Sequence, residues 1–361
     1  MDFSYEDFYS RNIPVLGAEN QKRLSNRTVL VAGVGGIGTT SSQLLASIGV
    51  GHIKLVDYDV IEQSNLPRQE LYTLEDVGDA KVDVASENLR KRNPSVRIST
   101  YTISIDGLSI KNLLDDVDLI IDGLDRFRPR MTLHGVAYER KIPYIFAGAI
   151  STQGNVMSFV FRDEKPCMVC VLGNPQDDEQ NTCAVRGVHP SILSIVASVQ
   201  VSEAVKILLD LEPALDEKML YIDLDTLDFD KIAFKKNPEC PECKRVISKK
   251  DRGSDGEVRR EKLQIKNLGE VNMSSLCGKD TFIFTPKFEW IITQDQIRSI
   301  LQEHWSVYSK GKSVLVIQAR RVNCSLMKSG VMTIRGAGDK ENAVKLYSDI
   351  LDILKILWST T

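Results

Sequence analysis

The 361-residue sequence has little net charge: 46 Lys and Arg stand against 49 Asp and Glu, a formal balance of -3 at pH 7. That excludes association driven by a strong positive field, so neither nucleic acid nor an anionic membrane is expected as a partner. The first residues, "MDFSYEDFYS", have neither a basic start nor an apolar stretch, so no secretory signal is expected. No uninterrupted apolar run is long enough to cross a bilayer. The longest apolar region, "SILSIVASVQVSEAVKILLDL" (191–211), is broken by Gln200, Glu203 and Lys206 and reads as a buried helix. There is no internal repeat and no low-complexity tract, which leaves no reason to expect a repeat array.

What is present is an ordinary globular composition, 42% hydrophobic and 26% charged. At about 150 residues per domain the length predicts two domains. "RTVLVAGVGGIGTTSSQLLASIGVGHIKLVDYD" (27–59) reads as strand, glycine turn, amphipathic helix and second strand. "VDLIIDGLD" (117–125) and "IPYIFAGAI" (142–150) are further apolar strands, with helical stretches such as "DAKVDVASENLRKRN" (79–93) between them. This alternation predicts an α/β fold, a Rossmann-like, doubly wound, mostly parallel sheet with helices on both faces. The pattern changes at "KRVISKKDRGSDGEVRREK" (244–262), which is polar and charged. The expected organisation is therefore a nucleotide-binding domain over 1–245, a linker over 246–262 and a small α+β domain over 263–361. In the last, "DTFIFTP", "ITQDQIRSILQEH", "KSVLVIQARR", "GVMTIRG" and "KENAVKLYSDILDILKIL" suggest strand, helix, strand, strand, helix.

"GVGGIG" (33–38) places Gly33, Gly35, Gly36 and Gly38 between a strand and a helix. The first glycine suits a tight turn, the second a close backbone approach to ligand, and the helix N-terminus offers N–H groups to phosphate. Asp57, at the end of the next strand, is placed to accept hydrogen bonds from a ribose diol. These features do not separate NAD from ATP. The residues after Asp57, in "LVDYDVIEQSNLPRQ" (55–69), do. Arg68 offers a planar fork to phosphate oxygens, Lys81 in "GDAKVD" a compact charge, and Arg11 in "YSRNIP" a third cation. Displacement at phosphorus needs its developing charge neutralised, whereas hydride transfer has no use for such a cluster.

Seven cysteines occur, four of them in two Cys-x-x-Cys pairs: Cys167 and Cys170 in "PCMVC", Cys240 and Cys243 in "PECPEC". Two such pairs can complete a closed tetrahedral zinc site; a redox pair or four unrelated thiols are the alternatives.

"SRNIPVLG", "GVGGIG", "DYDVIEQSNLPRQ", "VGDAKV" and "DGLDRFRPR" follow one another as in the ubiquitin-activating enzyme-like family. Over residues 5–245 the chain resembles its ThiF/MoeB-type adenylyltransferases. The resemblance implies ATP-dependent adenylation of the C-terminal glycine of a small ubiquitin-like or sulfur-carrier protein ending in Gly-Gly. It implies that Asp57 holds the ribose, that Asn65, Arg68 and Lys81 contact phosphates, and that Asp125 binds magnesium. Arg11 is then expected to reach the ATP of the neighbouring subunit of a homodimer, and the paired cysteines to hold zinc. A conjugating enzyme or a sulfurtransferase would be the downstream partner, and the protein is expected to be cytoplasmic. Two positions depart from the family's pattern. Leu124-Asp125-Arg126 stands where Thr-Asp-Asn is usual, and "FYSRN" replaces Arg-Tyr-x-Arg-Gln, with Phe8 for the first arginine.

Cys183, in "NPQDDEQNTCAVRGVHP" (174–190), is expected on a surface loop as the thiol that accepts the activated acyl group. Arg186 would lower its pKa, nearby Asp177, Asp178 and Glu179 would raise it, and His189 is a candidate base. An inert buried thiol is the alternative. "CSLMKSG" (324–330) superficially resembles the cysteine loop of the rhodanese domains that some family members carry, but a strand rather than a helix follows it. The C-terminal domain is expected to dock the carrier or a downstream partner, or simply to stabilise the chain. Other functions weighed are an NAD-dependent oxidoreductase, for which Asn65, Arg68 and Lys81 have no use, and a non-catalytic nucleotide-binding scaffold, which would not need Asp57, Arg68, Lys81 and Asp125 together.

Overall fold

The computed structural model describes residues 3–105, 110–162, 164–173, 175, 177, 183–247, 261–265, 269–275, 280–286, 293–310, 314–319, 322–327 and 330–358. They divide into two compact units, one of Met1–Asp57, Gln63–Thr73 and Lys81–Arg252, the other of Tyr58–Glu62, Leu74–Ala80 and Gly253–Thr361.

The strands of the first unit are β1 (Thr28–Ala32), β2 (His52–Val56), β3 (Arg97–Tyr101), β4 (Leu119–Asp122), β5 (Tyr144–Ile150), β6 (Gln153–Phe159), β7 (Lys218–Asp223) and β8 (Asp228–Ala233). They form one sheet in the order β3-β2-β1-β4-β5-β6-β7-β8. Parallel pairings join β3, β2, β1, β4 and β5, and β6 to β8 continue the sheet antiparallel. "TVLVA", "HIKLV" and "LIID" are buried at every position, the continuous pattern of strands covered on both faces. Each buried Val, Leu or Ile contributes roughly 1.5–3 kcal/mol.

The helices of this unit are α1 (Tyr5–Phe8), α2 (Ile13–Leu16), α3 (Ala18–Leu24), α4 (Gly36–Ile48), α5 (Lys81–Arg92), α6 (Phe127–Arg140), α7 (Met168–Leu172), α8 (Cys183–Arg186), α9 (Pro190–Leu208) and α10 (Pro241–Ile247). α9 is the buried helix expected over 191–211, packed on α4, β5 and β6. The chain runs outward from β1 through β2 and β3, then returns to lay β4 on the other side of β1. That reversal opens a crevice at the carboxyl ends of β1, β2 and β4, where open α/β sheets take their ligands.

The second unit carries β9 (Glu261–Ile265), β10 (Gly269–Ser275), β11 (Thr281–Pro286), β12 (Ser306–Lys310), β13 (Val314–Ala319), β14 (Val322–Met327) and β15 (Met332–Arg335), with helices α11 (Gln294–Leu301) and α12 (Lys340–Trp358). Its seven strands form an antiparallel sheet in the order β12-β13-β14-β15-β11-β10-β9. One face packs Phe284, Leu315, Ile317 and Ile334 against Tyr347, Ile350 and Leu351 of α12. The linker expected over 246–262 is helical through Ile247 and strand from Glu261, and 248–260 lie outside the described residues. Cys324 sits inside β14, fully buried, and burial pushes its thiol up to about 12. It is a core side chain, not a nucleophile in a loop.

Candidate nucleotide site and four-cysteine cluster

The glycine turn follows β1 because two of its glycines admit no side chain. Gly33 has φ +84, and a Cβ on Gly38 would meet the Gly33 carbonyl at 1.9 Å. The turn is tied to β2: Gly33 N–H donates to Val56 O at 2.8 Å, and Val34 N–H donates to Asp57 Oδ2 at 2.8 Å. Asp57 is thereby oriented by the turn whose ligand it is expected to share. Gly35 stands at the N-cap of α4, and the neighbour nearest to a Cβ built on it is Gln69 Nε2 at 3.8 Å. The backbone there is open to close approach.

The "SNLPR" stretch lies in a tight 3-10 turn, Gln63–Arg68. Asn65 is buried, and Arg68 is partly exposed, its Nη1 donating to Ser64 O at 2.7 Å. A guanidinium has five donors, so this contact sets its direction without exhausting it. Lys81 is the first residue of α5 and is buried. The Tyr72 hydroxyl lies 2.9 Å from Val34 O and 3.3 Å from Lys81 O, joining the glycine turn to the start of α5. Asp125 is exposed in the bend that follows β4. A Cβ on Gly33 would meet Gly123 O at 2.7 Å, so the bend and the glycine turn are in close backbone contact. Gly33–Gly38, Asp57 and Asp125 thus belong to one crevice.

Arg11 is exposed in the turn between α1 and α2. Tyr9, two residues before it, is buried and receives Asn93 Nδ2 at 2.7 Å, with Ser95 Oγ 3.2 Å from its hydroxyl. Phe8 is partly exposed against Phe3 and Tyr9.

The loop reading around Cys183 changes. Cys183 opens the four-residue helix α8, whose "CAVR" contains two good helix formers and which gives way to Gly187 at φ +74. Asp177 has partners of its own on α6. Its Oδ1 accepts from Phe127 N–H at 2.6 Å and its Oδ2 from Arg128 N–H at 3.4 Å, capping α6 where Arg126 offers no side-chain cap. Asp178 and Glu179 lie outside the described residues. His189 caps α9, its Nδ1 accepting from Ser191 N–H at 3.2 Å, so that nitrogen is occupied.

The two Cys-x-x-Cys pairs meet. Sγ atoms of Cys167, Cys170, Cys240 and Cys243 lie within 4.8 Å of one another. The separations Cys167–Cys240, Cys170–Cys243 and Cys167–Cys170 are 3.5, 3.6 and 3.7 Å. A disulfide needs about 2.05 Å. Four sulfurs at the corners of a tetrahedron, each about 2.3 Å from a zinc ion, are roughly 3.8 Å apart. The cluster fits the second geometry. Asn237 N–H points at Cys170 Sγ at 3.4 Å, and Met168 N–H donates to His134 Nε2 at 3.1 Å. Burial pushes the Cys167 and Cys243 thiols up, while at Cys170 burial is outweighed by hydrogen bonds, first that from Asn237 N–H, which carry the thiol down. His134, fully buried, is held neutral by burial, with its pKa near 3.

Several residues that hold this site together are not marked by any motif in the sequence: Tyr72, Asp122, Arg130 and Tyr9. Gln200 was noted only as an interruption of an apolar helix. It is fully buried and donates from Nε2 to Asp122 O at 3.0 Å and Ile145 O at 2.9 Å, while accepting from Ser41 Oγ at 2.9 Å. A polar side chain inside an apolar run was the signal.

The model of the ThiF family matches residues 9–242. The chain is 34% identical over 248 residues to the SAMP-activating enzyme E1 of Haloferax volcanii, covering 67% of this chain and 90% of that protein. It is 34% identical to the sulfur carrier protein adenylyltransferase of Thermus thermophilus, covering 66% of this chain and 90% of that one. It is 32% identical to the molybdopterin-synthase adenylyltransferase of Escherichia coli, covering 65% and 95%. Among solved structures it resembles Escherichia coli MccB with ATP, at a TM-score of 0.58 and 25% identity, covering 66% of this chain and 74% of that one.

Proposed function

This chain belongs to the ThiF family, and from that premise we propose that it activates a small ubiquitin-like or sulfur-carrier protein by adenylating its C-terminal glycine. The observation that carries the reading is the crevice itself, where the glycine turn holds Asp57 through Val34 N–H and meets the Asp125 bend through Gly123. The carrier's carboxylate oxygen attacks the α-phosphorus of ATP. The bond to the bridging oxygen breaks, and acyl adenylate and pyrophosphate are the products. Asp57 binds the ribose, Gly33–Gly38 and the α4 N-terminus approach the phosphates, and Asn65, Arg68 and Lys81 neutralise charge on them. Asp125 would hold magnesium, which would supply further neutralisation of the phosphate charge when bound. Arg11 acts on the ATP of the second subunit of a homodimer. Cys167, Cys170, Cys240 and Cys243 hold one structural zinc, a closed site with no part in the reaction. The reduced thiols such a site requires accord with a cytoplasmic setting. Residues 263–361 dock the carrier or a conjugating enzyme or sulfurtransferase downstream, and before that hand-over the Cys183 thiolate attacks the acyl adenylate, breaking its acyl–phosphate bond to give a thioester and AMP.

ATP–pyrophosphate exchange with small β-grasp proteins ending in Gly-Gly tests this. Exchange should require magnesium, vanish in Asp125→Ala, and survive in Asp57→Ala with a raised KM for ATP. Mixing Arg11→Ala with Asp125→Ala subunits should restore part of it. Cys183→Ala should keep exchange and lose a reductant-sensitive adduct with the carrier. Tight NAD binding without exchange against any carrier would sink the proposal and return the oxidoreductase.

A further inference from the structure

Asp122, the last residue of β4, has no exposed surface, and Arg130, in the first turns of α6, is 5% exposed. Burying an ion pair is not in itself stabilising, because desolvation costs as much as the attraction returns. What distinguishes this pair is where its remaining donors and acceptors go. Arg130 Nε donates to Asp122 Oδ2 at 2.6 Å, and Nη2 reaches two backbone carbonyls, Leu124 at 2.5 Å and Ala147 at 2.8 Å. Asp122 Oδ1 accepts from Leu124 N–H at 3.0 Å. The guanidinium plane rests over the Phe146 ring, 4.7 Å from its centroid. Burial pushes the Asp122 carboxyl up and Arg130 opposes it; burial also works against the charge on Arg130, which the carboxylates of Asp122 and Asp125 outweigh.

Both peptide groups of Leu124 are therefore held, the N–H by Asp122 and the carbonyl by Arg130. On the far side of the bend, Phe127 N–H is held by Asp177. Asp125 and Arg126 alone span the gap between two fixed points. A lysine could supply the charge but not the three-way fork.

We propose that Arg130, locked by Asp122, is a positioning residue that sets the Leu124–Asp125 peptide so that the Asp125 carboxylate presents to the magnesium ion. This rests on the reading of Asp125 as a magnesium ligand given above. Arg130 is buried and acts through the backbone of the bend.

The test uses the full-length protein with magnesium and ATP as probes and compares Arg130→Lys, which keeps the charge and loses the fork, with Asp122→Asn, which keeps the shape and loses the charge. Three quantities are read in each: ATP affinity in excess chelator, the magnesium concentration giving half-maximal pyrophosphate exchange, and amide hydrogen exchange at Leu124 and Asp125. The expected result is unchanged metal-free ATP affinity, faster exchange of the two amides, and a half-saturating magnesium concentration raised about 10- to 100-fold, the usual effect of removing a group that orients a metal ligand. Two results overturn the proposal. One is a folded variant with wild-type magnesium dependence. The other is that both variants unfold, which makes the network a determinant of the fold alone. If Asp125→Ala keeps wild-type magnesium dependence, the assignment of Asp125 fails, and amide exchange at Leu124 still reports whether the clamp exists.

Discussion

His52 shows how a single buried side chain ties stability to pH. It is 6% exposed on β2, with Nδ1 accepting from Arg97 Nη2 at 2.8 Å and Nε2 therefore donating to Ser99 Oγ at 2.9 Å. Burial lowers its pKa, Arg97 and Lys54 lower it further, and Asp116 opposes them. The unfolded chain, with a histidine near pKa 6.5, takes up the proton more readily. The stability this neutral ring contributes is intact above about pH 6.5 and drains away as pH falls below it. Asp116, whose carboxyl is held low first by its hydrogen bond from Lys54, loses its contribution only in a more acid window. We expect the melting temperature of the wild type to drop between pH 7 and 5 and that of His52→Asn to drop less. Parallel curves would show that His52 does not titrate in that range. At this scale the sequence points to a residue where a motif names it, as with Asp57, which the glycine turn holds through Val34 N–H, and is silent where a contact depends on a partner far along the chain. Arg130 was visible in "DGLDRFRPR", but nothing in one dimension brings Ala147 to its fork.

Among the elements, α9 repays most attention. Its apolar run made it readable as a buried helix, and the polar residues that argued against a membrane span prove to be its anchors. Gln200 bridges α9 to the ends of β4 and β5 and to α4. Glu203 accepts from Leu215 N–H at 2.7 Å and Ala214 N–H at 3.1 Å, fastening the connection into β7. Gln200→Leu keeps the volume and strands Ser41 Oγ and two carbonyls, at about 1–3 kcal/mol for each group left unsatisfied. Urea denaturation should show a midpoint lowered accordingly; an unchanged midpoint would mean that water replaces the amide. The central strands were legible because continuous apolar runs mark strands covered on both faces. β8 was not, since all of "DFDKIA" is exposed and pairs only with β7. β14 was missed because its "VNCSLM" alternates and follows β13 almost directly.

For the whole molecule, the α+β character of the small C-terminal part was legible in its strand and helix segments. Two short segments, Tyr58–Glu62 and Leu74–Ala80, belong to the second unit although they interrupt the first in sequence. Composition gives no sign of that. The four-cysteine cluster is the feature whose removal acts at this scale. Elemental analysis should find close to one zinc per chain. Cys240→Ser should lose both the metal and several kcal/mol of stability, because metal affinity at such a site is folding free energy. A metal-free protein that melts at the wild-type temperature would refute the assignment.

Joining Cys167 to Cys240 through an ion closes a covalent-and-coordinate ring across a sequence separation of 73. A permanent cross-link around a ring of that length removes about 4 kcal/mol of chain entropy from the unfolded state. β7, β8, α8 and α9 all lie within it. A cut anywhere in that arc, for instance between Gly173 and Val185, would leave two chains that the ion still joins at the four-cysteine cluster for as long as it stays. Nicked protein should therefore migrate as one particle until a chelator is added. Occupancy of that site by one ion would thus decide whether the arc that carries β7 and β8, two of the eight strands of the sheet, is a closed ring or an open chain.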